Sequence, residues 1–130
     1  MSIASRSQQN AQKAFDQVCQ VDRKIQADYK IWCQKLPMLI LRNGLSQATG
    51  FMLAKSSDDS DNSASGLLLR HIAEISGQVA DAAEFHQVII HAELPEYQRL
   101  TRQILQASVW YKRYSESLFE DSKSGEVPHE

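Results

Sequence analysis

Apolar positions in the two longest segments of this chain recur at spacings of three, four and seven, and that rhythm organises the sequence. From residue 4 to residue 35, ASRSQQNAQKAFDQVCQVDRKIQADYKIWCQK, there is no Gly or Pro. Phe15, Val18, Ile25, Tyr29, Trp32 and Leu36 follow one another at three, four or seven positions and so share one helical face. Ala, Gln and Lys fill many of the remaining positions, as a long helix prefers. Asp22 interrupts the apolar face. Leu36-Pro37 comes next, and proline suits the first turn of a helix because its missing N–H has no partner there. The pattern predicts a long helix ending near Lys35 and a short one running from Pro37.

The apolar run then halts at Asn43-Gly44 and resumes at once. Asn-Gly between apolar segments is a strong hairpin signal. Strands, however, would alternate apolar with polar residues or be rich in β-branched side chains, whereas PMLILR and LSQATGFMLA are mostly Leu, Met and Ala. Asn43 and Gly44 therefore read as a helix cap, with Gly44 at positive φ and a new helix from about residue 45. Residues 56–66, SSDDSDNSASG, hold five Ser and three Asp and read as an acidic loop that buries nothing useful. Asn62 and Ser63 offer caps for a helix containing Leu68, Ile72 and Ile75, with Gly77 near its stop. Residues 79–92 suit either a short helix or a strand, and the helix is the reading adopted. Pro95 opens a second long element in which Tyr97, Leu100, Ile104, Ala107, Tyr111, Tyr114 and Leu118 alternate steps of three and four.

The elements add up to an all-α fold, a compact helical bundle of five to six helices with long first and last helices. A chain of 130 residues, 42% hydrophobic, suits one domain, here 1–120, followed by a flexible tail over 121–130. No apolar run reaches the roughly 18–20 residues a bilayer span needs, and the N-terminus lacks a signal-peptide layout, so a cytoplasmic protein without membrane contact is expected. Cys19 and Cys33 lie fourteen positions apart, about 21 Å on one helix, and read as buried thiols rather than a disulfide.

Charge changes the picture. The net value of −2 hides +5 over residues 1–55, −6 over 56–93, +2 over 94–119 and −3 over the last eleven. A polyanion would meet the first and last long segments. Arg6, Lys13, Lys24 and Lys35 are separated by seven, eleven and eleven residues, so on a continuous helix they form one stripe drifting only about 20° per eleven-residue step. Arg99, Arg102 and Arg113 share one side of the last helix, with Gln106 and Trp110 between them. Such rows can track phosphates, and a partly exposed Trp can stack on a base or a neighbouring subunit. Lys and Arg opposite a core also serve solubility alone, so periodicity permits this surface without establishing it.

Enzymatic readings find little support. His86 and His91 are five apart, about 140° around a helix, which is poor for a shared metal. Asp58, Asp59 and Asp61 lack the Gly and closing Glu of a calcium loop. No phosphate-cradling Gly-rich loop or nucleophile elbow is present. A non-enzymatic protein with no cofactor and no metal is expected.

Two segments carry a family resemblance: KLPMLILRNGLSQATGFMLAK and, after a variable loop, YQRLTRQILQASVWYKRYSESL. Leu36-Pro37, Asn43-Gly44-Leu45 with Gln47, Phe51 and Lys55, then Leu100-Thr101 with Trp110, Tyr111, Lys112, Arg113 and Tyr114, resemble the small helical subunit of the type III-B CRISPR effector, the fifth member of the Cmr series. Gly50 departs from the family's usual Ala or Leu, and the 56–66 loop is unusually rich in Ser and Asp. The resemblance implies a non-catalytic protein that stacks in several copies along guide RNA and target RNA, beside a large polymerase-like subunit and backbone subunits that cut RNA. Lys24, Lys35, Lys55, Arg102, Lys112 and Arg113 are the expected nucleic-acid contacts. The competing reading is a helical protein–protein adaptor with no nucleic-acid contact.

Overall fold

The computed structural model describes residues 5–56, 63–77 and 81–119, and all the regular structure in them is helical. The elements are α1 (Arg6–Cys19), a short 3-10 turn (Arg23–Ile25), α2 (Gln26–Asn43), α3 (Leu45–Lys55), α4 (Ala64–Ile75), α5 (Ala82–His91) and α6 (Leu94–Leu118). The all-α bundle and its long last helix follow the sequence reading. Most of the acidic loop and the whole of 121–130 lie outside the described residues. None of the helices is long and apolar enough to cross a membrane, among the described residues.

The long first helix is not continuous. It breaks between Cys19 and Gln26, where Asp22, the residue that spoils the apolar face, caps the 3-10 turn by accepting the Lys24 backbone N–H at 3.0 Å. Asp competes with the helix for backbone donors, which is why it favours caps over interiors. The break moves Cys19 to the surface while Cys33 is buried, so the expectation of two buried thiols holds for one. Phe15 also ends up 42% exposed.

Pro37 does not open a helix; it lies inside α2. Its ring removes the N–H that would reach the Cys33 carbonyl, a cost of about 3 kcal/mol for an interior proline. Burial of Tyr29, Cys33, Leu36 and Ile40 on both sides of the proline offsets that cost and keeps α2 in one piece. Gly44 ends α2 at φ +86° and at once begins α3, as the sequence predicts. Its N–H bonds the Ile40 carbonyl at 2.8 Å while its own carbonyl accepts from Ala48 at 3.0 Å.

α4 starts three residues earlier than the loop reading allowed. Ser63 caps it, and Ala64, Ser65 and Gly66 are helical and buried. Small side chains there let α4 approach α3 closely enough for Ser65 Oγ to donate to the Met52 carbonyl at 3.1 Å. Of the segment 79–92, residues 79 and 80 lie outside the described residues, and over the rest the helix prevails: Asp81 caps α5 by accepting from the N–H groups of Ala83 and Glu84, and Phe85 and Ile89 enter the core.

α6 seats against both α1 and α2. Tyr29 meets Phe119 with ring centroids 6.1 Å apart, and Tyr97 Oη accepts the Ser46 N–H at 3.0 Å, so α2 and α6 run antiparallel. Leu100, Ile104, Ala107 and Tyr111 are fully buried along the predicted face, although its last member, Leu118, is 43% exposed. Where α1, α2, α4 and α6 meet, the core is polar. Tyr29 Oη bonds His71 Nδ1 at 2.7 Å. Gln17 Nε2 donates to the His71 carbonyl at 3.1 Å and to Glu74 Oε1 at 3.0 Å, and Tyr111 Oη donates to Gln17 Oε1. Burial pushes the His71 imidazole down to about 4, against the opposing pull of the Glu74 carboxylate and with a smaller push from Arg70.

A His whose folded pKa is depressed is protonated preferentially in the unfolded chain, so its contribution is complete above about 6.5 and is lost as pH falls towards 4. Chemical denaturation across that range will show roughly 2–3 kcal/mol of lost stability from this residue, and His71→Gln, which keeps an acceptor for Tyr29 but does not titrate, will flatten the profile. At Gly44, φ +86° with ψ 160° is backbone that only glycine adopts readily. Gly44→Ala will therefore cost about 1–3 kcal/mol in the unfolding free energy.

Candidate nucleic-acid interface

α2 carries more apolar surface than one face can bury. Tyr29, Cys33, Leu36 and Ile40 fill the core, while Trp32 is half-buried to one side and Ile31, Met38 and Leu41 are exposed. Because a single residue joins α2 to α3, α3 folds straight back along its neighbour and presents Phe51 to Trp32, ring centroids 5.7 Å apart. Each ring then meets a lysine from its own helix. Lys35, three residues after Trp32, holds Nζ 5.2 Å from the Trp32 ring centre; Lys55, four residues after Phe51, holds Nζ 5.5 Å from the Phe51 ring. These are the helical spacings at which neighbours touch.

The result is a continuous Lys35–Trp32–Phe51–Lys55 patch with a cation at each end. Lys35 and Lys55 are exposed, and neither forms an ion pair among the described residues. Two of the six expected contacts are thus brought together with two aromatic rings between them. The chemistry available is phosphate attraction flanking an apolar surface that a base or ribose can cover.

A second group forms on α6. Arg113 Cζ lies 5.7 Å from the Trp110 ring centre, Trp110 stacks on Tyr114 at 5.6 Å and 23°, and Tyr114 meets Phe15 of α1 edge-on at 5.3 Å. Lys112 is exposed on α6 too, but its Nζ pairs with Glu116 Oε2 at 3.3 Å. The Glu116 carboxyl is held below the usual range first by the Gln34 amide and then by Lys112. Arg102 and Lys24 are exposed and join neither group. Arg99, read as part of the α6 row, is engaged by Glu96 through two hydrogen bonds of 3.0 and 2.7 Å and also reaches Gln103.

The single stripe through Arg6, Lys13, Lys24 and Lys35 does not exist. Arg6 and Lys13 sit on α1, Lys24 on the 3-10 turn and Lys35 on α2, because the break after Cys19 redirects the chain. His86 and His91 have other tasks. His86 Nδ1 bonds Thr49 Oγ1 at 2.8 Å, and His91 Nδ1 bonds the Gln87 carbonyl at 2.9 Å. Gly50 makes room for the first, since a Cβ there would stand 3.2 Å from His86 Cε1. A larger residue at this position would require the His86 ring to shift by a few tenths of an ångström.

The sequence reading named Lys35 and Lys55 but not the ring pair that unites them. The local signals, an aromatic three or four residues before each lysine, were present; their meeting depends on how α3 folds back.

Over residues 6–118 the chain matches the family described as "CRISPR-associated protein (Cas_Cmr5)". It is 35% identical over 120 residues to the CRISPR system Cmr subunit Cmr5 of Thermus thermophilus, an alignment covering 92% of this chain and 100% of that protein. The X-ray crystal structure of a CRISPR-associated Cmr5 family protein from the same organism resembles this fold with a TM-score of 0.74 at 34% identity, covering 91% of this chain and 100% of that one. With the match running from the first turn of α1 to the last residue of α6, this chain belongs to the CRISPR-associated Cmr5 family.

Proposed function

We propose that this chain is a non-catalytic small subunit of a type III-B Cmr ribonucleoprotein, stacking along guide RNA and target RNA and holding their backbones without reading sequence. Its partners in this reading are the two RNAs, the large polymerase-like subunit, the backbone subunits and further copies of itself. The observation that carries the reading is the Lys35–Trp32–Phe51–Lys55 patch, where two lysines without ion-pair partners among the described residues bracket exposed aromatic surface. Arg113 beside Trp110 extends the same chemistry to α6; Lys24 and Arg102 are peripheral contacts of the phosphate chain, and Lys112 joins them only by exchanging Glu116 for a phosphate. Phosphate contacts of this kind position a strand but carry no sequence information.

A helical adaptor that binds only proteins is the second reading. Ile31, Met38 and Leu41 favour it, being 47%, 53% and 66% exposed on one helix. Exposed apolar side chains on one helix are the kind of surface a protein partner covers. It is compatible with subunit packing in the first reading as well.

Anisotropy titrations of single-stranded RNA at two salt concentrations separate the readings. Affinity will fall steeply with salt and be equal for unrelated sequences. The Lys35→Ala/Lys55→Ala double variant will bind more weakly, and its log–log salt slope will be shallower by about 1.4, at roughly 0.7 for each lysine–phosphate pairing removed. Its folding stability will stay within about 2 kcal/mol of the parent, since exposed cation–π interactions are worth about 0.5–1 kcal/mol each. Binding that ignores salt or selects sequence refutes backbone recognition. No RNA affinity at low salt, with complex assembly intact when Lys112 and Arg113 become Ala, selects the adaptor.

A further inference from the structure

Asn10, on α1, is 5% exposed, and its carboxamide has no hydrogen-bond partner among the described residues. Every other buried polar side chain among them is satisfied. Gln17 and Gln103 bond backbone carbonyls of α4. Thr49 bonds His86, and Ser56, Ser65, Ser76, Ser108 and Ser115 each donate to a main-chain oxygen. An amide left without a partner costs about 1–3 kcal/mol unless water or a ligand reaches it, and Asn10 is the one buried polar side chain among the described residues whose partner must come from outside the protein, which gives it a use in binding.

The place where Asn10 sits suggests that use. It lines a cleft of about 570 Å³ between α1 and α6, together with Arg6, Ser7, Gln106, Val109 and Trp110. A cleft of that volume suits a small planar group. Trp110 supplies an aromatic wall, held by Tyr114 stacked on it at 5.6 Å, and Val109 adds apolar surface. Arg6 at one side and Arg113, 5.7 Å from the Trp110 ring centre, supply cations. Asn10 supplies one acceptor and two donors side by side, the complement of a nucleobase edge.

We infer that the α1–α6 cleft receives one unpaired nucleobase of single-stranded RNA, stacked on Trp110 and hydrogen-bonded to Asn10, with Arg6 and Arg113 on the adjoining phosphates. This rests on the RNA-binding reading above and adds a base contact to its backbone contacts. A carboxamide offers its donor and acceptor in either order by rotating half a turn, so the cleft accepts any base and leaves the subunit indifferent to sequence.

The test compares a labelled single-stranded 12-mer RNA with the same backbone lacking all its bases, by anisotropy at constant low salt. The full-length chain will bind the intact strand about tenfold more tightly, consistent with stacking of one base at about 1–3 kcal/mol. Asn10→Leu will lower affinity for the intact strand about fivefold, leave the abasic strand unaffected, and hold or raise the thermal midpoint, because an apolar group replaces an unsatisfied amide. That pairing of weakened binding with kept stability is what a merely structural Asn10 would not show. Trp110→Leu, which removes the stacking wall, will bring the two strands to equal affinity. Equal affinity of the parent chain for both strands, or an Asn10→Leu chain that keeps the full preference, overturns the cleft and leaves the backbone reading standing. Failure of the parent chain to bind either strand overturns both.

Discussion

The carbonyl and imidazole of His71 tie four helices together, and the rest of the molecule is arranged around that junction. Gln17 comes from α1, Tyr29 from α2 and Tyr111 from α6, and each directs its polar atoms to His71 or to one another. Apolar packing supplies most of the stabilisation but is indifferent to a helix sliding by a turn. Hydrogen bonds inside a low-dielectric core are not, because one step out of register strands a buried donor or acceptor at about 1–3 kcal/mol. Tyr29 Oη and His71 Nδ1 share a 2.7 Å hydrogen bond, and burial keeps the imidazole neutral by pushing it down to about 4.

With α1, α2 and α6 held at that level, the rest of α2 has little freedom. It runs antiparallel to α6 towards Tyr97 and carries Pro37 through its middle because the core on both sides of the proline holds it straight enough to continue. Gly44 then reverses the chain in one residue. The reversal sets α3 beside α2, and Phe51 comes to Trp32 as a consequence. The basic aromatic patch is therefore a by-product of how the core is registered, assembled from two short helical pairs that are each ordinary alone.

Charge is divided unevenly along the chain. The basic first segment supplies Lys35 and Lys55 to the patch and Arg6 to the α1–α6 cleft, while α4 balances Arg70 against Glu74. A net charge of −2 is therefore compatible with a locally basic surface. Within the basic segments, only some cations remain available. Arg99 and Lys112 are each paired with a carboxylate one turn away on α6, at 2.7 and 3.3 Å.

The sequence by itself determined the helical class, the face of α6 from Leu100 to Tyr111, the Gly44 reversal and the family, because three-and-four periodicity, positive-φ glycine and short ordered motifs are local properties. It also contained the reason α1 stops, in Asp22, although continuity of the surrounding pattern outweighed that single residue. Only the tertiary structure decided that Pro37 stays inside a helix, that Ala64–Gly66, just after the Ser63 cap the sequence offered, are buried, and that Lys35 joins Lys55 rather than Lys24. Each of these depends on what packs against the segment from far along the chain. Proline is tolerated when its neighbours are buried, small residues enter a helix where another helix approaches, and cations gather where two helices are folded side by side. Asn10 shows the same limit most plainly: as a polar residue on an amphipathic helix it reads as surface, and only the placement of α6 buries it beside a cleft.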